Sequence, residues 1–175
     1  QFLPTIEEEK EQYELHDNRV DNYHYRKFLS RLAEPLKSEL QPGARGLDFG
    51  CGQGPALAAM LEEAGFPTAV YDPIYFTDTS PLDHRYDFIT ATEVVEHLHD
   101  PRPVFEELDA MLVPGGLLAI MTRWLTDDDA FANWRYRRDS THVCFYRVET
   151  LEWLAGDFGW SVSFPARNVT FFRKG

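Results

Sequence analysis

Glu93, Glu96 and His97 stand at i, i+3 and i+4 in Thr92-Glu93-Val94-Val95-Glu96-His97-Leu98, a spacing that predicts one face of a helix. His142, in Thr141-His142-Val143-Cys144, offers a second imidazole from a later segment. Two carboxylates and two imidazoles suit a divalent ion such as Mg, Mn or Zn, and an ion so held lowers the pKa of a coordinated oxygen. The same histidines offer a general base instead, with His142 the first catalytic candidate and His97 the second. The plainer alternative makes Glu93 a loop contact, leaves Glu96 in solvent and treats His97 as a hydrogen-bonded core residue.

A second constellation lies upstream, in Gly46-Leu47-Asp48-Phe49-Gly50-Cys51-Gly52-Gln53-Gly54-Pro55. It reads as a strand, a glycine turn and the start of a helix. The dinucleotide fingerprint requires a glycine at position 55, which is Pro, so the third glycine comes one residue early. An acid, Asp48, precedes the first glycine by two residues. A pyrophosphate needs amides at a helix N-terminus, whereas an acid at the loop suits a ligand carrying positive charge. S-adenosylmethionine carries both an ammonium and a sulfonium. Asp72, at the end of the next strand, stands where a carboxylate can accept the hydroxyls of a ribose.

These residues need elements to hold them. Thr5 to Glu8 has capping-box spacing, and Phe28, Leu29, Leu32 and Leu36 give Tyr25 to Leu40 a helical period, so two helices precede the first strand. Strands are expected at 68–71, 86–90 and 117–121. Helices are expected after Pro55, through Ala91 to Leu98, from Asp100-Pro101 to the Pro114-Gly115-Gly116 stop, and over Glu149 to Ala155. Trp160 to Phe164 and Asn168 to Phe172 are separated so briefly that they must form an antiparallel hairpin. The expected fold class is α/β, a sandwich whose mostly parallel sheet ends in an antiparallel C-terminal hairpin.

The 175 residues suit a single domain: a helical lid over 1–42, a cofactor-binding core over 43–122 and an acceptor-side segment over 123–175. Residue 1 is Gln rather than Met, which leaves the extent of the native chain open. With no membrane span or basic leader legible and only two cysteines, a cytoplasmic, disulfide-free protein is expected. The net charge of −12 is uneven, with 9 basic and 22 acidic residues over 1–122 against 8 and 7 over 123–175. No continuous basic face is available to track DNA. Arg123, Arg135, Arg137 and Arg138 form a local cluster, either a contact for an anionic substrate or a solvated face. The long segment from Arg123 to His142 is expected to roof the acceptor, with Trp124, Phe131, Trp134 and Tyr136 as an apolar wall. Tyr13, His16 and Tyr25 are lid candidates from the N-terminal helices.

Taken together, the chain from Tyr25 onward resembles the class I S-adenosylmethionine-dependent methyltransferases. "LDFGCGQG", "VYDP", "YDFITATEVVEHLHDP" and "LVPGGLLAIMT" are similar to that family's motifs in order, and "THVCFYRVETLEWLAGDFGW" resembles the branch of ubiquinone-biosynthesis O-methyltransferases. The resemblance implies a Rossmann-like three-layer sandwich. It also implies that Asp48, Gly50, Cys51, Gly52, Gly54, Asp72, Pro73, Ile74, Thr92 and Glu93 contact the cofactor, with Ile74 against the adenine. Between Asp72 and Tyr86 there is too little chain for the family's usual helix and strand, so the third strand is expected to be reduced or missing. Glu93, Glu96, His97 and His142 resemble the metal set of small-RNA terminal 2'-O-methyltransferases. The resulting expectation is methyl transfer to an oxygen of a small-molecule acceptor. RNA ends, and cofactor binding without catalysis, stand as alternatives, and the acceptor's identity and the oligomeric state stay open.

Overall fold

The computed structural model describes residues 3–13 and 18–175. Helix α1 (Ile6–Tyr13) begins with the expected capping box: the Thr5 amide donates to Glu8 Oε2 at 2.8 Å and the Glu8 amide to Thr5 Oγ1 at 3.3 Å. Helix α2 (Tyr23–Glu39) starts two residues earlier than the apolar period suggests, because Asn22 Oδ1 accepts from the amides of His24 and Tyr25. The remaining elements are β1 (Gly46–Phe49), α3 (Ala56–Glu63), β2 (Thr68–Tyr71), β3 (Tyr86–Thr92), α4 (Pro101–Met111), β4 (Leu112–Met121), a short α5 (Asp128–Phe131), α6 (Val148–Phe158), β5 (Ser161–Ala166) and β6 (Val169–Arg173).

The six strands form one sheet in the order β2-β1-β3-β4-β6-β5, parallel through β4 and antiparallel for the terminal hairpin. Alternation along the strands divides the core. Phe88, Leu117, Ala119, Met121, Val169 and Phe171 face α2 and α3, packing with Leu29, Leu32, Leu36, Leu57 and Leu61. Ile89, Ala91, Leu118, Ile120 and Phe172 face α4 and α6, packing with Phe105, Leu108, Leu151 and Leu154. Each face is covered by helices, as a parallel sheet requires. Helix α2 is thus a layer of the sandwich.

Between β2 and β3 the chain makes a tight turn, closed by reciprocal amide bonds between Asp72 and Phe76, and one 3-10 turn over Ser80–Asp83. No strand enters the sheet there among the described residues, as the short spacing implies. Two expectations change. Ala91 to Leu98 is not a helix: β3 runs on to Thr92, Glu93 turns the chain with a left-handed φ of 52°, and only Val95–His97 forms a 3-10 turn. The strand expected at Leu117 begins at Leu112, with a register shift opposite Tyr86 and Phe88. Among the described residues no helix is long and apolar enough to cross a membrane.

Candidate functional site

Strand order reverses between β1 and β3: the chain leaves β1 toward β2 on one side, and β3 leads to β4 on the other. Ligands of open α/β sheets bind beyond the carboxyl ends of the strands at such a point. Every functional candidate on the sheet lies at that end. After Phe49 the chain turns through Gly50 (φ 70°) and Gly52 (φ 66°), conformations that favour glycine. The glycines have different neighbours. A Cβ on Gly50 would lie 2.6 Å from Val94, and one on Gly54 would lie 2.1 Å from the carbonyl oxygen of Asn18, whereas nothing comes within 4 Å of that position at Gly52. Gly50 therefore admits the chain after β3, Gly54 admits the N-terminal segment, and Gly52 exposes backbone to open space. The Gly50 and Cys51 amides donate to the Tyr71 carbonyl at 2.8 and 3.2 Å, and Cys51 itself is buried.

Asp72 holds this loop to the turn after β2. Its Oδ2 accepts from the Gly52 amide at 2.9 Å, and its Oδ1 from the amides of Ile74 and Tyr75 at 2.9 and 3.0 Å. A carboxylate has about four acceptor positions, so capacity for a ligand hydroxyl remains. Pro73 is exposed and Ile74 half-buried on this turn. Asp48 is buried on β1, accepts from Thr90 Oγ1 at 2.7 Å, and is further stabilised by the Ala58 amide. Burial dominates, pushing its carboxyl up to about 6. Thr92 Oγ1, at the end of β3, is buried without a hydrogen-bond partner among the described residues. Tyr25 reaches this cleft from α2, where burial and then the charges of Asp48 and Glu93 hold its phenol above the usual range. His16 and the side chain of Tyr13 lie outside the described residues. The open backbone at Gly52, the orphaned Thr92 hydroxyl and the acid at the end of β2 fit a nucleoside-bearing cationic ligand.

Beyond Thr92 lies a network that the sequence does not announce. Tyr136 donates from Oη to Glu96 Oε1, and the same oxygen lies 3.1 Å from Thr122 Oγ1 and 3.4 Å from Glu93 Oε2. One phenolic hydrogen cannot serve every partner. Burial raises the pKa of both carboxyls, and Glu96 raises Glu93 further, so a proton held on Glu93 can complete the set by donating to Tyr136. Glu96 is fully buried rather than solvent-facing, and its Oε2 has no partner among the described residues.

The histidines join this network from two segments. His97 Nδ1 lies 3.0 Å from the Thr141 carbonyl, and His142 Nδ1 lies 2.7 Å from the Tyr136 carbonyl. Because a carbonyl only accepts, each Nδ1 carries a hydrogen, and the other ring nitrogen of His142 lies 3.9 Å from Asp139 Oδ2. The rings meet edge to face, with centroids 4.7 Å apart. Ligand atoms of Glu96, His97 and His142 lie within 4.8 Å of one another. A tetrahedral ion with bonds of roughly 2.0–2.2 Å needs ligands about 3.3–3.6 Å apart, so side-chain rotation would have to draw the set inward. Glu93 does not belong to this group, which corrects the expected set of four. The shared helical face behind that expectation is absent, and the long-range docking of Thr141 to Cys144 assembles the group instead.

The segment after β4 supplies the expected aromatic wall in part. Phe131, Trp134 and Phe145 pack within 6.4 Å of one another, and Trp134 lies 5.1 Å from Tyr136. Trp124 turns away to Phe164, 5.4 Å distant. Cavities of about 370 and 310 Å³ open beside Arg45 and Tyr86 and beside Gly43 and Gly115 respectively, at the opposite end of the sheet.

Comparison with known proteins bears on this cleft. A profile described as a methyltransferase domain matches residues 16–163. Solved structures share the fold at low identity. An O-methyltransferase family protein from Burkholderia thailandensis superposes with a TM-score of 0.59 at 15% identity, over 95% of this chain and 63% of that one. Mitomycin 7-O-methyltransferase gives 0.60 at 13%, over 83% and 52%. The 1,6-didemethyltoxoflavin-N1-methyltransferase of Burkholderia thailandensis, solved with bound 1,6-didemethyltoxoflavin and S-adenosylhomocysteine, gives a TM-score of 0.66 at 14% identity, over 95% of this chain and 83% of that one. The chain thus spans less than two thirds of the first two proteins' length. No curated protein sequence matches it.

Proposed function

Because the chain belongs to the class I S-adenosylmethionine-dependent methyltransferases, we propose that it methylates an oxygen of a small-molecule acceptor held over Glu96, His97 and His142. The observation that carries this reading is the meeting of those three side chains just beyond the carboxyl end of β3, beside the glycine turn. S-adenosylmethionine supplies a methyl carbon already activated by its sulfonium. The protein's task is then to align donor and acceptor and to exclude water. In this reading the Gly52 backbone and Thr92 border the donor, Asp72 receives ribose hydroxyls and Asp48 faces the amino group. Phe131, Trp134, Tyr136 and Phe145 shield the acceptor side.

An oxygen acceptor must lose its proton. Glu96, His97 and His142 would hold a divalent ion, which supplies positive charge that lowers a hydroxyl's pKa. Two imidazoles and one carboxylate favour Zn or Mn over Mg. The carbonyls of Thr141 and Tyr136 orient the two rings, and Tyr136 holds Glu96 through Oε1, leaving Oε2 without a partner among the described residues. If no ion is needed, His142 takes the proton itself.

The test is transfer of a labelled methyl group to a panel of phenols, quinols, sugars and RNA ends, with and without chelator. The proposal expects label on an oxygen of a small molecule, loss on chelation, and return on adding Zn or Mn. Glu96→Gln should mimic chelation, lowering turnover roughly 100-fold or more, as removal of charge stabilisation does. Loss in His142→Ala without any chelator effect would replace the ion by the base. Full activity in both variants would reject both roles.

A further inference from the structure

Arg26, Arg102, Arg147 and Arg173 pair with carboxylates. Of the described arginines that form no ion pair, two bear on the cleft. Arg123, the second residue after β4, lies with its guanidinium carbon 5.4 Å from the centre of the Tyr136 ring. Arg31, on α2, lies 5.4 Å from the centre of the Phe28 ring. Both are exposed, and among the described residues neither is within ion-pair distance of a carboxylate. Both favour the charged form of Glu93, so their positive charge is felt at the end of β3. A guanidinium laid over a ring has one face covered and keeps its N–H edge for a planar anion.

Arg123 also connects to the reacting end. Tyr136 lies 4.0 Å, centroid to centroid, from His142, which lies 4.7 Å from His97. A continuous series of stacked and edge-on groups thus runs from the arginine to the Glu96 network. We infer that the acceptor carries an anionic group, carboxylate or phosphate, that Arg123 and Arg31 receive while its hydroxyl lies over Glu96, His97 and His142. The inference rests on the acceptor site of the proposed function and names its specificity residues. The other arginines of the region do not share this position: Arg137 donates to the Ala132 carbonyl and covers Phe131, 5.0 Å away.

The test is calorimetric titration of the protein saturated with S-adenosylhomocysteine, using phenol, benzoate and phenyl phosphate as probes. Benzoate or phenyl phosphate should bind about tenfold or more tightly than phenol, as charge-assisted hydrogen bonds require, and the better of the two tells carboxylate from phosphate. Arg123→Gln and Arg31→Gln should each shrink that preference, and Arg123→Lys should restore only part of it, while S-adenosylhomocysteine affinity stays unchanged. Phenol binding as well as both anions would overturn the inference, as would a preference undiminished in both Gln variants. Because this is a binding measurement, absence of methyl transfer would sink the catalytic reading and leave the anion subsite standing or falling by itself.

Discussion

Asp48 couples the cofactor cleft to pH. Its carboxyl, raised by burial to about 6, is largely ionised at pH 7 and largely protonated at pH 5. If it faces the ligand's ammonium, binding favours the ionised form. The affinity for S-adenosylhomocysteine should then fall about tenfold between pH 7 and pH 5, with proton release when binding occurs near pH 6. Asp48→Asn should bind more weakly and without that slope; a wild-type affinity flat across the range would remove Asp48 from the ammonium site. Stability follows the opposite sign. A folded pKa above the ordinary 3.8 favours the protonated native state, so the contribution of Asp48 to stability declines as pH rises from about 4 through 6. Relative to wild type, Asp48→Asn should therefore gain stability on going from pH 4 to pH 8, by at most about 3 kcal/mol.

Among the elements, the turn from β1 into α3 admits a direct test of what each glycine is for. Gly54→Ala places a methyl group against the Asn18 carbonyl, so the N-terminal segment must shift while the sheet does not. The expected cost is about 1–3 kcal/mol, with enhanced proteolysis confined to the chain before Tyr23. Global unfolding with no local loosening would contradict it. The strands, α4, α6 and the terminal hairpin were legible because apolar periods, Asp100-Pro101 and the brief 165–167 link are local signals. The Glu93 to His97 helix was misread because its period is helical while its hydrogen bonds are not. The Glu96 carbonyl accepts from the amides of Val143 and Cys144 at 2.8 and 2.9 Å, so a later segment takes the acceptor that would have continued a helix. Those bonds also bring His142 to His97. Tyr136 was legible only as an aromatic residue, since its role comes from Glu93, Glu96 and Thr122, which lie 43, 40 and 14 positions away in no local pattern.

At the scale of the whole molecule, six strands form the sheet, with none between β2 and β3 among the described residues, and the acid that closes β2 holds the glycine loop from its edge. The chain is acid-rich in its first two thirds and balanced afterwards, and Arg123, at the start of the balanced part, lies over Tyr136 beside the cleft. A ligand selective for the folded state must stabilise it, by about 2.7 kcal/mol at a hundred times its Kd. The most direct test of the account is therefore calorimetric titration of the intact protein with S-adenosylhomocysteine and with NAD, in parallel with Asp72→Ala. The account expects one site for S-adenosylhomocysteine, no heat from NAD, and an affinity in Asp72→Ala weaker by about 1.5–3 kcal/mol. Binding of NAD without any response to S-adenosylhomocysteine would contradict it.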